Sequence, residues 1–128
     1  MAYQFQKHYT REEATALLPQ LREWLAQLAE LERALEKYDQ RVNGLMQDGS
    51  DAGGDAVNSR IRTVSAKLAV LVEFQRREIF IKDFERGLVD FPALMGGREV
   101  FLCWEKDEET NEHWHDLETG YPGRERIP

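Results

Sequence analysis

The sequence predicts an α+β protein, in which a long antiparallel, coiled-coil-like helical hairpin precedes a small antiparallel β-meander of three to four strands. Apolar residues recur at alternating steps of four and three through the first half, which is the spacing of a helix seam. From Ile79 onward, short runs rich in Val, Ile, Phe and Trp alternate with turn formers. At 128 residues we expect one domain over 1–128, with the hairpin at about 11–78 and the meander and tail at about 79–128.

The first helix is predicted from nine apolar positions without a miss. They are Leu17, Leu21, Trp24, Leu28, Leu31, Leu35, Tyr38, Val42 and Leu45. Thr10 and Glu13 have the spacing of a capping box, so the helix should begin at about residue 11. This seam either pairs within the chain or forms a dimer seam, and the spacing does not choose between the two.

A second seam follows after a polar, glycine-rich segment. It runs through Val57, Ile61, Val64, Leu68 and Leu71. The segment at about 48–56 cannot sustain a helix, and its glycines and aspartates predict a mobile loop. A helix, a loop and a second helix favour an antiparallel hairpin.

Four strands are predicted after the hairpin. They cover Ile79 to Asp83, Leu88 to Ala93, Val100 to Glu105 and a short stretch around His113 to His115. Gly87 suits a tight turn that needs a positive backbone angle. Because alternation leaves apolar residues on both faces, we expect the second face to be covered by the tail at Tyr121–Gly123 or by another subunit.

The composition of the chain disfavours several classes of function. The chain carries a net charge of −7, and residues 79–128 alone are net −6, so an acidic surface disfavours nucleic-acid binding. No apolar run has the length of a membrane span or the character of a signal peptide. Cys103 is the single cysteine, which excludes an internal disulfide and agrees with a reducing compartment. A cytoplasmic location without nucleic-acid or membrane partners is expected.

A histidine and carboxylate cluster near the end of the chain is the candidate site. His113 and His115 are two apart, so on a strand both imidazoles point to one face, and Asp116 and Glu118 follow as oxygen donors. Such a set binds divalent metals such as zinc. In the alternative interpretation, His113 is a surface residue and His115 hydrogen-bonds Asp116 or the backbone.

Two further arrangements have weaker support. The carboxylates Asp83, Glu85 and Asp90 face this cluster if the meander brings them together, although such residues more often shape turns or pair with arginines. Cys103 is a candidate nucleophile if His115 lies beside it, but burial as a small apolar residue is the favoured interpretation. No catalytic residue is predicted.

The arrangement of motifs resembles a known family. The motifs are Leu17-Leu18-Pro19, Lys82-Asp83 before Gly87 to Pro92, Gly97 to Val100 with Cys103-Trp104, Trp114 to Glu118, and Gly120 to Arg124. This pattern resembles the domain of unknown function 2203 family of small bacterial proteins. The resemblance covers nearly the whole chain and implies no assigned activity, so it gives no residue a role.

The functional prediction is a non-enzymatic interaction or scaffold module that self-associates through its helices as a homodimer. The long seam and the absence of a strong catalytic motif favour it. The alternative is a divalent-metal-binding protein or small metal-dependent enzyme whose ligands are His113, His115, Asp116 and Glu118. No other cofactor is predicted.

Overall fold

The fold was analysed in a computed structural model that describes residues 2–47, 49 and 54–128. It contains two α-helices, α1 Arg11–Gln47 and α2 Gly54–Arg76, followed by a five-stranded antiparallel sheet. The strands are β1 Phe80–Asp83, β2 Leu88–Met95, β3 Arg98–Glu105, β4 His113–Asp116 and β5 Glu125–Arg126, with a short 3-10 helix at Tyr121–Gly123. The predicted α+β class is confirmed.

Helix α1 begins at the predicted residue, and the capping box explains why. The Thr10 backbone N–H donates to Glu13 Oε1 at 2.9 Å, and the Glu13 N–H donates to Thr10 Oγ1 at 3.1 Å. These two bonds satisfy amides that have no partner inside the helix. The loop predicted at about 48–56 ends earlier than expected, because α2 already begins at Gly54. The rest of that loop, except Gly49, lies outside the described residues.

The chain divides into two compact units. The first consists of Met1–Glu23 and Glu73–Pro128, and the second consists of Trp24–Val72. In the second unit the helices run antiparallel. Asp39 pairs with Arg60 at 2.5 Å, and Glu32 pairs with Lys67 about two turns away, toward the start of α1 and toward the end of α2. The prediction that 1–128 acts as a single domain stays a prediction.

The apolar stripe of α2 does not lie on the side that faces α1. The ion-pairing Arg60 and Lys67 mark that side, and buried Ala56 lies on it as well. At 3.6 residues per turn, Ile61 and Leu68 lie roughly 100° further round the helix. Both are 55% exposed, and the neighbouring stripe residues Val57 and Val72 are 38% and 44% exposed. Of the five predicted α2 seam residues, Val57, Ile61 and Leu68 are therefore exposed, whereas Val64 and Leu71 are partly covered.

Helix α1 uses its stripe differently. Leu21 and Leu28 are buried, and the other seven predicted positions are partly covered. The most buried residues of α1 form a neighbouring row, Ala14, Leu18, Leu21, Leu25 and Leu28. All nine predicted α1 positions are therefore buried or partly covered, whereas three of the five predicted α2 positions are exposed.

The strands follow one another in chain order, so the predicted meander is confirmed. It has five strands and not three or four, because Glu125 and Arg126 pair with Trp114 and His113 at the edge. Two charged residues in a polar tail carry no strand signal. Gly87 forms the β1–β2 turn with φ of 66°, as the sequence predicted.

One face of the sheet carries Val89, Phe91, Val100, Leu102 and Trp104, all buried. Within the same unit, the guanidinium of Arg22 lies 5.4 Å from the centre of the Trp104 ring, and the Tyr9 ring lies 5.5 Å from Phe91. This face therefore packs under the start of α1.

Among the described residues, no helix is long and apolar enough to cross a membrane.

The second face is covered by the N-terminal segment as well as by the tail. Phe5 contacts Phe80 and Phe101 at ring distances of 5.4 Å each. The sequence predicted the tail as a cover, and Tyr121 does border a pocket on this face. The contribution of Phe5 was not predicted, because the first ten residues have no regular spacing to interpret.

Candidate functional site

Three adjacent strands place Asp90, Cys103 and His115 on the second face of the sheet. Asp90 of β2 lies directly opposite Cys103 of β3, and His115 of β4 lies opposite Phe101, two residues from Cys103. Side chains two apart on a strand share a face, so the three side chains converge. Their exposed fractions are 1%, 0% and 2%.

Both ring nitrogens of His115 have acceptors. Nδ1 lies 2.7 Å from the Asp116 carbonyl oxygen, and Nε2 lies 3.0 Å from Asp90 Oδ2. A carbonyl and a carboxylate can only accept, so each ring nitrogen donates a proton to its partner. The ring is then an imidazolium beside a carboxylate.

The pKa of His115 agrees with this assignment. Burial alone would lower the pKa, but hydrogen bonds with Asp90 and Cys103, together with the bond to the Asp116 carbonyl and the charge of Asp90, raise it from 6.5 to about 10. A positive ring next to Asp90 is therefore the state at neutral pH.

One atom of the cluster has no partner. Asp90 Oδ1 is buried and forms no hydrogen bond, although Oδ2 of the same carboxylate does. A buried polar atom without a partner costs about 1–3 kcal/mol. The ligand atoms of Asp90, Cys103 and His115 all lie within 4.8 Å of one another, the one such group of three or more in the part of the chain that the structure describes.

A pocket of about 160 Å³ opens beside the cluster. Asp90 and His115 form part of its wall, and Lys82, Glu118 and Tyr121 complete the polar part. The Lys82 ammonium lies 5.1 Å from the centre of the Phe101 ring. The pocket is large enough for a few water molecules or a small anion.

The four sequence-predicted ligands occupy different surroundings. His113 Nδ1 lies 3.1 Å from Glu108 Oε2, and Asp116 Oδ1 lies 3.1 Å from an Arg98 guanidinium nitrogen. Glu118 is exposed and borders the pocket. Among the described residues, no three of these four bring ligand atoms within 4.8 Å of one another. His115 alone joins the three-residue cluster, and metal binding by the four stays a prediction.

Of the three carboxylates considered with the cluster, only Asp90 reaches it. Asp83 Oδ1 accepts a bond from the Arg86 backbone N–H at 3.2 Å and shapes the turn, and Glu85 is exposed. Cys103 does lie beside His115, the condition stated for a nucleophile. Because both ring nitrogens of His115 are already donating, the ring has no lone pair to accept a thiol proton in this state.

Asp90 and Cys103 were not predicted to join His115 in one ligand set. Asp90 carried a usable signal, since it is the one charged residue inside the apolar run Leu88 to Ala93. A charged residue in the middle of a buried strand needs a partner. Cys103 carried no such signal, because a buried cysteine is ordinary.

Comparison with known proteins gives one match. The model of the family described as "Uncharacterized conserved protein (DUF2203)" matches residues 7–127. No curated protein and no solved structure matches the chain. The resemblance seen in the sequence is confirmed, and the match assigns no activity to the cluster.

Proposed function

We propose that this chain, which belongs to the DUF2203 family of uncharacterized conserved proteins, is a protein-interaction module that forms a homodimer through α2. The observation that carries the proposal is the apolar stripe of α2. Ile61 and Leu68 are each 55% exposed, and Val57 and Val72 extend the stripe to 16 residues of helix. A row of this kind on one helix favours a helical partner.

The stripe is complementary to itself. In an antiparallel pair of α2 helices related by a two-fold axis near Val64, Ile61 of one copy lies opposite Leu68 of the other. Val57 then lies opposite Val72 by the same relation. A self-complementary patch of this kind is what a two-fold symmetric dimer requires. The second copy is therefore the occupant that fits this surface best.

The polar residues along the stripe favour the same occupant. Asn58 and Ser65 border it on the side away from α1, and neither is charged. Arg60 and Lys67, on the other border, are already paired with acidic residues of α1. Two α2 helices can therefore approach without facing rows of unpaired like charges.

Sedimentation velocity of the wild type at micromolar concentration tests the proposal, with Leu68→Glu as the disrupting variant. We expect a dimer for the wild type and a monomer for the variant, because two carboxylates would face an apolar surface. Ala66→Glu is the matched control, since Ala66 is exposed on the opposite side of α2 and its substitution should leave the dimer intact. Leu28 is unsuitable for this purpose because it is 1% exposed and belongs to the core.

A charge pair tests the antiparallel register. Ile61→Lys and Leu68→Glu should each give a monomer, whereas the double variant places lysine opposite glutamate twice and should restore the dimer. A monomeric wild type would contradict the proposal, and a dimer that survives Leu68→Glu would place the contact elsewhere.

We also propose a cytoplasmic location for this module. A single buried cysteine suits a reducing compartment, where an unpaired thiol persists. Separation of the cell into its fractions, followed by detection of the chain in each, would test this. Recovery in the cytoplasmic fraction supports the proposal, and recovery in another fraction contradicts it.

A further inference from the structure

We propose that Asp90, Cys103 and His115 form a binding site for a divalent transition metal of the zinc class, with an open coordination position toward the adjoining pocket. The three residues supply an oxygen, a sulfur and a nitrogen donor from three neighbouring strands. This site does not depend on the α2 dimer, since all of its residues belong to the unit that contains the sheet.

The donor set selects the class of metal. Thiolate and imidazole ligands favour zinc and related transition metals over magnesium and calcium, which prefer oxygen ligands alone. Bonds of about 2.0–2.3 Å to one ion place the ligand atoms roughly 3–4 Å apart. The Asp90 Oδ2 to His115 Nε2 distance of 3.0 Å, and the limit of 4.8 Å for the whole set, agree with that spacing after small side-chain movements.

His115 is held as metal-binding histidines commonly are. Its Nδ1 donates to the Asp116 carbonyl oxygen at 2.7 Å, which leaves Nε2 as the atom that can bind an ion. Without metal, a proton on Nε2 bridges the ring and Asp90 Oδ2. A divalent ion would replace this proton and the thiol proton of Cys103, so two negative ligands and one neutral ligand would balance its charge.

The unpartnered Asp90 Oδ1 points to a missing ligand. Leaving a buried carboxylate oxygen without a hydrogen bond is costly, and this oxygen belongs to the one residue group whose ligand atoms lie close enough for an ion in the described part of the chain. A bound ion uses the carboxylate fully, and the pocket beside it gives the ion access to solvent. Three protein ligands with a fourth position open to a pocket is the arrangement of zinc sites that bind water or a small ligand.

The pocket indicates what the open position accepts. Lys82 and Glu118 lie on its wall with opposite charges, so the fourth position suits water or a small anion whose charge Lys82 offsets. The volume of about 160 Å³ leaves room for such a ligand and for water molecules around it. The proposed site therefore takes one metal ion and a small oxygen ligand.

Cobalt titration of the full-length, untagged protein tests the proposal. Cobalt(II) substitutes for zinc, and its thiolate complexes show a charge-transfer band in the near ultraviolet. Because Cys103 is the only cysteine, the band in the wild-type protein reports the binding of cobalt by Cys103 directly. This assignment does not require a folded variant. We expect the band to saturate at one cobalt per chain and to disappear when zinc is added. A wild type that takes up no stoichiometric cobalt or zinc would overturn the proposal.

Variants then assign the ligands. Cys103→Ser should remove the charge-transfer band with an unchanged circular dichroism spectrum, and Asp90→Asn should weaken cobalt binding at least tenfold. His113→Ala and Asp116→Asn are the matched controls and should still bind one cobalt per chain. Loss of binding in these two, with retention in Cys103→Ser, would overturn the proposed site in favour of the ligands predicted from the sequence.

Discussion

His115 Nε2 lies 3.0 Å from Asp90 Oδ2, and both side chains are 2% exposed. Removing one member of such a buried pair leaves a charge without a partner in the sheet interior. We expect Asp90→Ala or His115→Ala to lower the free energy of unfolding of the metal-free protein by about 3–5 kcal/mol.

Urea denaturation of both single variants and of the double variant measures this effect. The double variant should lose clearly less than the combined losses of the single variants, because neither charge remains to be left unpaired. Asp39→Ala is the control: its pair with Arg60 is about half exposed, so its loss should cost less than about 1 kcal/mol. Equal effects for Asp39→Ala and Asp90→Ala would contradict the role of burial.

Substitution by alanine should destabilise the protein at Gly87 and stabilise it at Gly44. Gly87 has φ of 66°, and a Cβ there would lie 2.6 Å from a side-chain carbon of Lys106. Gly87→Ala should cost about 1–3 kcal/mol through backbone strain and this contact. Gly44 lies inside α1 with no atom within 4 Å of an added Cβ, so Gly44→Ala should stabilise the helix by about 0.5–1 kcal/mol. Thermal denaturation of the two variants measures both changes.

Glu99 makes the N-terminal segment sensitive to acid. Its oxygens accept the backbone N–H groups of Gln4 at 2.8 Å and Phe5 at 3.0 Å, and His8 Nε2 lies 2.8 Å away. Burial alone would raise the pKa of Glu99, but the bonds from His8, Gln4 and Phe5 outweigh burial and lower it below 4.5. The contribution of Glu99 is therefore fully present above pH 4.5 and is lost as the pH falls through the lowered pKa.

Amide chemical shifts of Gln4 and Phe5 measure this release between pH 7 and pH 2. In the wild type both signals should move together below pH 4.5. In Glu99→Gln the side chain does not titrate and keeps one acceptor oxygen, so the two signals should no longer move together below pH 4.5. Shifts that stay constant down to pH 2 in the wild type would contradict the role of Glu99.

Glu108 anchors the end of the chain to the sheet. Its carboxylate accepts two bonds from Arg124, at 3.1 and 3.2 Å, and one from the Glu105 backbone N–H at 2.8 Å. Glu108→Gln removes the charge and one acceptor, so it should cost about 1–3 kcal/mol. Glu109→Gln is the control, because Glu109 is exposed and its substitution should change stability by less than about 0.5 kcal/mol. Hydrogen exchange of the Arg126 amide would show whether β5 loosens with the same variant.

Local features of the fold were predictable from the sequence. The capping box spans four residues, Thr10 to Glu13, and Gly87 sits in a turn between two recognisable strands, so neither needs knowledge of distant contacts. The orientation of α2 was not predictable. The spacing of Ile61 and Leu68 identifies an apolar side of α2. The side that faces α1 is instead the one that carries Arg60 and Lys67, and this follows from contacts with residues far away in the sequence.

For the cluster of Asp90, Cys103 and His115, too, the local part was predictable from the sequence and the contact between distant residues was not. His115 was selected by its own neighbours in the sequence, whereas Asp90 is 25 residues away and meets it only through strand pairing. A shift of one residue in the β2–β3 or β3–β4 register would turn Asp90 or His115 to the other face of the sheet. Since that register follows from turn lengths and packing across the sheet, the residue pattern alone did not join the two side chains.

The larger unit draws on both ends of the chain, and this sets an order of events during synthesis. Residues 24–72 leave the ribosome before any strand exists, so the hairpin segment can fold early. Phe5 and Tyr9 must wait for β1 to β3, which provide Phe80, Phe91 and Phe101, the rings that they contact. A nascent chain stalled before residue 80 would hold these side chains exposed to the chaperones of the cell.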